Sequence, residues 1–203
     1  MQMRFPLIVV IVLAISSRQT LAQSNSQESA ISTNVGGSGG VAGQNLDELR
    51  QKLASPDYET RKAVVTEVLN VGAKRPLGKE EVDLLLPHLK SDSDWRIKVR
   101  IIDVLPYAKN PDWVLQPLIS ATEDRDEESS GGGNVPSYAC WALAQLGDNR
   151  GLQPVEGWLH YLESHPKVYY DLHESLVKHA EKHLGELKSK LEKAGSPSGI
   201  AHP

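Results

Sequence analysis

Apolar residues recur at intervals of three and four from Leu46 almost to the end of the chain, with polar residues between them. This spacing places the apolar side chains on one face of an α-helix. Aromatic residues are few and the Val and Ile runs keep the helical spacing, so no β-sheet is predicted. Glycine, proline and aspartate divide the pattern into paired helices. The predicted helices cover residues 46–53, 57–72, 80–89, 94–108, 111–122, 135–146, 151–162 and 168–194.

The helical pairs also repeat at a nearly fixed distance along the chain. Thr60, Ile97 and Val135 hold equivalent places in three similar segments, at steps of 37 and 38 residues. A period of roughly 20 to 50 residues is typical of repeat proteins, in which each helical hairpin buries its apolar face against the next one. The sequence therefore predicts an all-α fold: an α-solenoid of about four helical hairpins over residues 45–195, with a long C-terminal helix.

Three short segments identify the kind of repeat. Residues 94–98 (Asp-Trp-Arg-Ile-Lys) begin a second helix, residues 142–148 (Ala-Leu-Ala-Gln-Leu-Gly-Asp) end one, and residues 152–155 (Leu-Gln-Pro-Val) open the next pair. These segments resemble HEAT repeats, especially the short type first grouped with phycobilisome lyases. The resemblance covers about residues 46–165. It implies stacked helix pairs and leaves the activity open, because one fold hosts many functions.

The third repeat departs from this pattern in two ways. Pro136 stands where the first two repeats have Arg61 and Lys98, so a contact expected from those basic side chains is missing there. A loop over residues 122–133 is inserted before the second helix, and insertions in repeat proteins often lie on the working face. Carboxylates at alternate positions in this loop suggest weak calcium binding as an alternative to a solvated acidic loop.

The N-terminus has a different pattern. A basic start at Arg4, an apolar run of 11 residues (5–15) and a small-residue exit at Ala22 are typical of a secretory signal peptide. The run covers about half of the ~20 residues that a membrane-spanning helix needs, which favours a cleaved signal over an anchor. Residues 1–22 are thus predicted to direct export, and the protein is predicted to be secreted or periplasmic.

Composition limits the function further. Residues 23–44 are rich in Gly, Ser, Asn and Gln and are predicted to form a flexible leader, and residues 196–203 a disordered tail. Removal of residues 1–22, with two arginines, leaves 22 − 2 = 20 basic and 26 acidic residues, a charge of −6. An acidic chain without a clustered basic patch does not predict nucleic-acid binding.

The single cysteine, Cys140, excludes a disulfide within the chain and a zinc site built on cysteines. Because Cys140 lies in an apolar stretch, a buried and unreactive thiol is expected, with a reactive thiol as the alternative. His179 and His183 lie one helical turn apart, and His173 precedes them. No third ligand is evident beside that pair, so packing is favoured over metal binding, and no metal or cofactor is predicted.

The candidate partner surface lies on the second helix of each pair, which lines the concave side of a solenoid. Arginine and aromatic side chains dominate the binding energy of protein interfaces. An alternative is that the four tryptophans, among them Trp141, only seal the contacts between repeats. The predicted partner-binding residues are Arg61, Lys62, Arg96, Lys98, Arg100, Tyr107, Tyr138 and Trp141.

These observations predict an exported, monomeric HEAT-repeat module without enzymatic activity, which binds or scaffolds a protein partner. No nucleophile elbow or cofactor fingerprint is present in the sequence. The alternative is a lyase-type or metal-dependent enzyme built on the same scaffold.

Overall fold

The computed structural model describes residues 46–195, and eight α-helices occupy most of this range. No β-strand occurs between residues 46 and 195, where one isolated bridge joins Leu77 to Ala108. The all-α prediction is therefore confirmed. The predicted signal peptide, leader and tail, and residue 45, lie outside the described residues. The helices are α1 (Leu46–Leu53), α2 (Tyr58–Gly72), α3 (Lys79–Ser91), α4 (Trp95–Val104), α5 (Asp112–Ala121), α6 (Asn134–Leu146), α7 (Leu152–Ser164) and α8 (His173–Gly195).

Side-chain caps set several helix ends where the sequence predicts them. Asp57 caps α2, and its carboxylate accepts a hydrogen bond from Thr60 N at 2.7 Å. Asp94 caps α4 in the same way and accepts from Arg96 N at 3.0 Å. Such acceptors satisfy N–H groups that the first turn of a helix leaves unpaired. Gly147 ends α6 with φ 68°, a left-handed conformation that glycine adopts without strain.

The helices pack in a regular order. Each second helix contacts the next one, α2 with α4, α4 with α6 and α6 with α8. The first helices α1, α3 and α5 also contact one another in sequence, and each helix contacts its partner within the pair. Their apolar faces form one core. Its largest fully buried side chains include Leu53, Ile97, Ile101, Leu118, Leu143 and Trp158.

The predicted helix 94–108 is interrupted near its end. A 3-10 turn, Leu105–Tyr107, follows α4. Pro106 has no N–H with which to continue the helical hydrogen bonds. The carbonyl of Tyr107 instead accepts from Leu77 N at 2.8 Å. The end of the second pair is therefore held by the segment that precedes α3, a contact that helical periodicity does not reveal.

The start of the last helix also differs from the prediction of residues 168–194. The α8 helix begins at His173, and the residues before it form turns. Tyr169 has a left-handed backbone, φ 56°, and its buried ring lies 6.1 Å from the ring of Trp158. Leu172, which the prediction placed on the apolar face, is 44% exposed. Burial of the Tyr169 ring outweighs continuation of the helix here.

Candidate functional site

Arg61, a predicted partner-binding residue, is only 8% exposed. Its Nη1 donates to the carbonyls of Ser55 and Pro56, each at 2.9 Å. Its Nε lies 3.0 Å from Asp92 Oδ2, and Nη2 donates to Asp92 Oδ1 at 3.3 Å. Asp92 belongs to the turn between α3 and α4. Arg61 therefore joins α2 to the next helical pair, and its burial removes it from the partner-binding candidates.

Lys98 is also buried, at 6% exposed, so it does not belong to the exposed second-helix surface that the sequence predicts. Its Nζ lies 3.4 Å from Asp124 Oδ2 and donates to the carbonyl of Ser129 at 3.2 Å. Both partners belong to the inserted loop. Arg61 and Lys98 occupy equivalent positions in the repeat. In the structure each of them links a second helix to the segment between the two helices of the following pair. The helical pattern alone could not assign them to the interior, because basic side chains are rarely buried.

Lys62 and Arg96 lie on either side of the Tyr58 ring. Lys62 Nζ is 5.6 Å from the ring centroid, and the Arg96 guanidinium is 4.1 Å from it. Both cations also have carboxylate partners: Lys62 Nζ is 2.8 Å from Glu59 Oε2, and Arg96 Nη2 is 2.6 Å from Asp94 Oδ2. Hydrogen bonding to Arg96 lowers the pKa of the Asp94 carboxyl. These two candidates are accessible, but their charges are already satisfied.

The remaining four candidates lie on α4, its 3-10 extension and α6. Tyr107 and Tyr138 are each 41% exposed, which is high for large aromatic side chains. Arg100 and Trp141 are half-buried. Arg100 makes no hydrogen bond or ion pair to any residue within 46–195. A cation without a hydrogen-bond partner among residues 46–195, near the exposed ring of Tyr138, is suited to contact another protein.

Asp103 is a fifth residue of this region and was not among the sequence candidates. Its half-buried carboxylate has no hydrogen bond or ion pair inside the described range, although Arg100 lies one turn away on α4. Burial raises the pKa of Asp103 to about 6, and the charge of Arg100 opposes this. Burial also raises the pKa of Tyr138, with a further contribution from Asp103. We call Arg100, Asp103, Tyr107, Tyr138 and Trp141 the α4–α6 surface.

The inserted loop 122–133 is packed against the helices along much of its length. The Arg125 guanidinium lies over the rings of Trp158 and Tyr161, at 4.8 and 4.3 Å from their centroids. Gly131 has φ 61°, and a Cβ at this position would lie 2.2 Å from Trp95. The loop therefore closes over α4 on one side and α7 on the other. Its acidic side chains at 123 and 126–128 are exposed, as a solvated acidic loop predicts.

Two carboxylates of the loop, Asp124 and Asp126, accept hydrogen bonds from Ser129. Asp124 Oδ1 accepts from Ser129 Oγ at 2.9 Å, and Asp126 Oδ1 accepts from Ser129 N at 2.7 Å. No group of three or more His, Cys, Asp or Glu side chains in residues 46–195 is placed to hold a metal ion. Nothing in the loop geometry therefore supports the calcium alternative.

His183, His173 and Cys140 take the packing roles that the sequence favours, whereas His179 is exposed. His183 is buried in α8, where burial lowers its pKa. His173 Nε2 lies 2.8 Å from the carbonyl of Leu162, which joins α8 to α7. Cys140 is fully buried, and burial raises the pKa of its thiol. The expectation of a buried thiol is confirmed, and a raised pKa disfavours the nucleophilic thiolate.

The tryptophans differ in how deeply they are buried. Trp158 is fully buried and seals the contact among α7, Tyr169 and Arg125. Trp95, Trp113 and Trp141 are half-buried and pack against the core with part of each ring accessible.

Between residues 46 and 195, no helix is long and apolar enough to cross a bilayer. No family model matches the sequence, and no curated protein matches it at a significant level.

Proposed function

We propose that this chain is an exported HEAT-like α-solenoid that binds a protein partner through the α4–α6 surface. The order of helix contacts, α2 to α4 to α6 to α8, supports the solenoid arrangement. The equivalent tasks of Arg61 and Lys98, 37 residues apart, support it further, because repeated units place equivalent residues in equivalent contacts.

The observation that carries the binding proposal is the exposure of Tyr107 and Tyr138 on a surface whose Arg100 and Asp103 have no hydrogen-bond or ion-pair partner among residues 46–195. Most large apolar side chains of the described residues are buried, and these two rings are among four that are exposed. Arg100 and Asp103 supply one cation and one carboxylate near Tyr138. A half-buried carboxylate without a partner is unfavourable in the free protein, and a partner's cation would relieve that cost.

The rigid scaffold fits this role. The α4–α6 surface lies on helices whose opposite faces belong to the core, so its side chains are held in place before a partner arrives. Preorganised surfaces bind with less loss of conformational entropy than mobile ones. Within this proposal the protein acts as a monomeric docking or scaffolding module.

The test compares two double variants of the epitope-tagged full chain in cells that express it. Arg100→Glu with Tyr138→Ala reverses one charge and removes one ring on the α4–α6 surface. Lys167→Glu with Tyr170→Ala makes the same change between α7 and α8, where Tyr170 is 84% exposed. Arg96 is left unchanged, because a carboxylate there would face the Asp94 cap.

The measurement is quantitative capture after chemical cross-linking, with melting temperatures as the check on folding. The proposal expects at least one protein to be captured by the wild type and by the control variant, and to fall at least about tenfold with the α4–α6 variant. Equal capture by all three proteins would exclude this surface.

A further inference from the structure

A second surface feature lies between α3 and α5, and none of its residues belongs to the α4–α6 surface. It is a groove of about 780 Å³, within the range of roughly 300 to 1,000 Å³ typical of ligand sites. Most of the accessible surface of its walls is apolar, as is typical of binding sites, and seven of the thirteen lining residues are polar or charged. The apolar lining residues are Leu86, Pro87, Leu89, Pro117, Ala121 and Val135.

Helical spacing gives the groove its shape. On α3 the lining positions run from Asp83 to Lys90, and on α5 they begin at Gln116 and continue to Ala121. Seven residues of helix rise about 10 Å. A trough of that length accommodates about three residues of extended chain, at roughly 3.3 Å each. The dimensions therefore suit a short extended segment.

Lys98 is the only buried charged side chain among the lining residues. Its Nζ contacts to Asp124 Oδ2 and Ser129 O measure 3.4 and 3.2 Å, longer than the ~2.7 to 2.9 Å of good charge-assisted hydrogen bonds. An ammonium group has three N–H donors, and only these two acceptors lie near it among residues 46–195. One of its three donors is thus without an acceptor among these residues, and Lys98 lines the groove.

The charges around Lys98 select the kind of acceptor. The carboxylate of Asp124 already balances the ammonium and also lines the groove, so a second full anion would be repelled. At the rim, Asp83 is paired with Lys79 at 2.6 Å, and the exposed Lys90 and Glu123 add one charge of each sign. A neutral carbonyl oxygen satisfies the free donor without placing two negative charges side by side.

We propose that the α3–α5 groove binds a short, uncharged, apolar peptide segment of a protein partner, with one backbone carbonyl accepting a hydrogen bond from Lys98. The apolar side chains of the segment lie against Leu86, Pro117 and Ala121. This site is independent of the α4–α6 surface, so either one can exist without the other.

The test uses the full chain, uniformly ¹⁵N-labelled, and follows amide chemical shifts on titration. The probe is acetyl-Leu-Val-Leu-amide, which has only neutral carbonyls. The comparison probes are the same peptide with a free C-terminal carboxylate, acetyl-Ser-Thr-Ser-amide, and the neutral lipid monolaurin. The expected result is saturable shifts confined to α3, α5 and the start of α6 with the first probe. Binding should be about threefold to tenfold weaker with the free carboxylate and absent with the polar peptide.

Two variants and one control locate the site. Gln116→Trp places an indole in the groove at an exposed position, and we expect it to weaken binding at least about tenfold. Gln153→Trp adds the same group to an exposed position on α7 and leaves affinity unchanged. Lys98→Met removes the donor and is expected to weaken binding about threefold to tenfold. If this variant does not fold, the comparison of the amide with the carboxylate probe decides the role of Lys98.

Each adverse outcome contradicts a distinct part of the proposal. Absence of saturable shifts with the amide peptide, or equal binding by Gln116→Trp, would exclude the groove as a peptide site. Tighter binding of monolaurin to the same amides would assign the groove to lipid and overturn the peptide assignment. Equal affinity for the amide and carboxylate probes, with Lys98→Met folded and unaffected, would exclude the hydrogen bond from Lys98.

Discussion

The contacts that α2 and α4 make with the following helical pair differ from the contact that α6 makes. Arg61 and Lys98 reach from their helices to Asp92 and Asp124 in the next turn. At the equivalent place on α6 stands Pro136, which has no cation. At that contact Arg125, from the inserted loop, lies over Trp158 and Tyr161 of α7. A cation links neighbouring pairs in all three cases, but in the third it comes from a loop.

The two kinds of link depend on different physics. A buried ion pair leaves an uncompensated charge when one partner is removed, which costs several kcal/mol. A cation over an aromatic ring leaves only a neutral ring when the cation is removed, so the loss is limited to the attraction itself, up to ~2 kcal/mol. The helix-borne link of Arg61 should therefore be more sensitive to mutation than the loop-borne link of Arg125.

The largest effect is expected for Arg61→Met. The change leaves Asp92, whose side chain is 4% exposed, without its cation, and we expect a loss of about 4 kcal/mol in the free energy of unfolding. Urea denaturation measures this loss. Adding Asp92→Asn should recover at least half of it, because the buried charge is then gone. A single-variant loss below about 1 kcal/mol would mean that the pair does not hold the two repeats together.

The next effect tests how the inserted loop is fixed to α4. Gly131→Ala places a Cβ 2.2 Å from Trp95 and strains a backbone at φ 61°, for a loss of about 3 kcal/mol. Gly132→Ala has the same kind of strain, at φ 67°, but its Cβ meets Leu172 at an ordinary 3.6 Å, for about 1 kcal/mol. Thermal or urea unfolding of the two variants isolates the Trp95 contact. Equal losses would show that the loop does not press on α4.

The fold was largely readable from sequence, because helix pairing depends on features that the sequence displays. The apolar period, the Asp57 and Asp94 caps and the Gly147 stop all predict elements that the structure contains. The predicted helix ends are wrong where contacts between distant residues outweigh the local spacing of apolar residues, at the end of α4 and the start of α8. Tyr169 is buried against Trp158, and α8 begins at His173 and not at residue 168 as predicted. Nothing in the sequence around residues 168–172 indicates this contact.

The candidate site was less predictable than the fold. Arg61 and Lys98 are basic residues on second helices, and sequence alone gave no reason to place them inside. Their carboxylate partners lie 31 and 26 residues away, beyond any local motif. Asp103 was not predicted, because a single aspartate in an apolar helix does not form a recognisable motif. The 37-residue repeat did contain a usable signal, since Arg61 and Lys98 occupy equivalent places and therefore share one environment.

A smaller effect is expected at the loop-borne link. Arg125→Ala removes the guanidinium from the rings of Trp158 and Tyr161, together with its hydrogen bond to the Thr122 carbonyl. We expect a loss of about 2 kcal/mol in the free energy of unfolding. The control is Arg150→Ala, an exposed arginine paired with Asp112 and Asp148, with a loss below about 1 kcal/mol. A loss at Arg125 equal to that at Arg61 would remove the distinction between the two links.

The smallest effect is expected at Asp103, which has no ion-pair partner among residues 46–195, unlike Asp92 and Asp124. Burial raises the pKa of Asp103 from 3.8 to about 6. Between these values the folded state binds a proton that the unfolded state does not, so the free energy of unfolding falls as pH rises through this window. Asp103→Asn cannot titrate and lacks this slope. We expect it to match the wild type near pH 4 and to be more stable by about 1 kcal/mol at pH 7.5, less than the full shift would give because the carboxyl is partly solvated.

Urea denaturation at several pH values between 4 and 7.5 tests this expectation, with Asp171→Asn as the control at an exposed aspartate. The difference in the free energy of unfolding between wild type and Asp103→Asn should grow as pH rises, and Asp171→Asn gives the effect of the same substitution at an exposed site. Asp92 and Asp124 gain from a cation within 4 Å, so neutralising either of them should destabilise the protein at pH 7.5. If neutralising Asp103 stabilises the protein at pH 7.5 while neutralising Asp92 destabilises it, then α4 carries a carboxylate that the fold does not require. A residue that serves to bind a partner is expected to have this property.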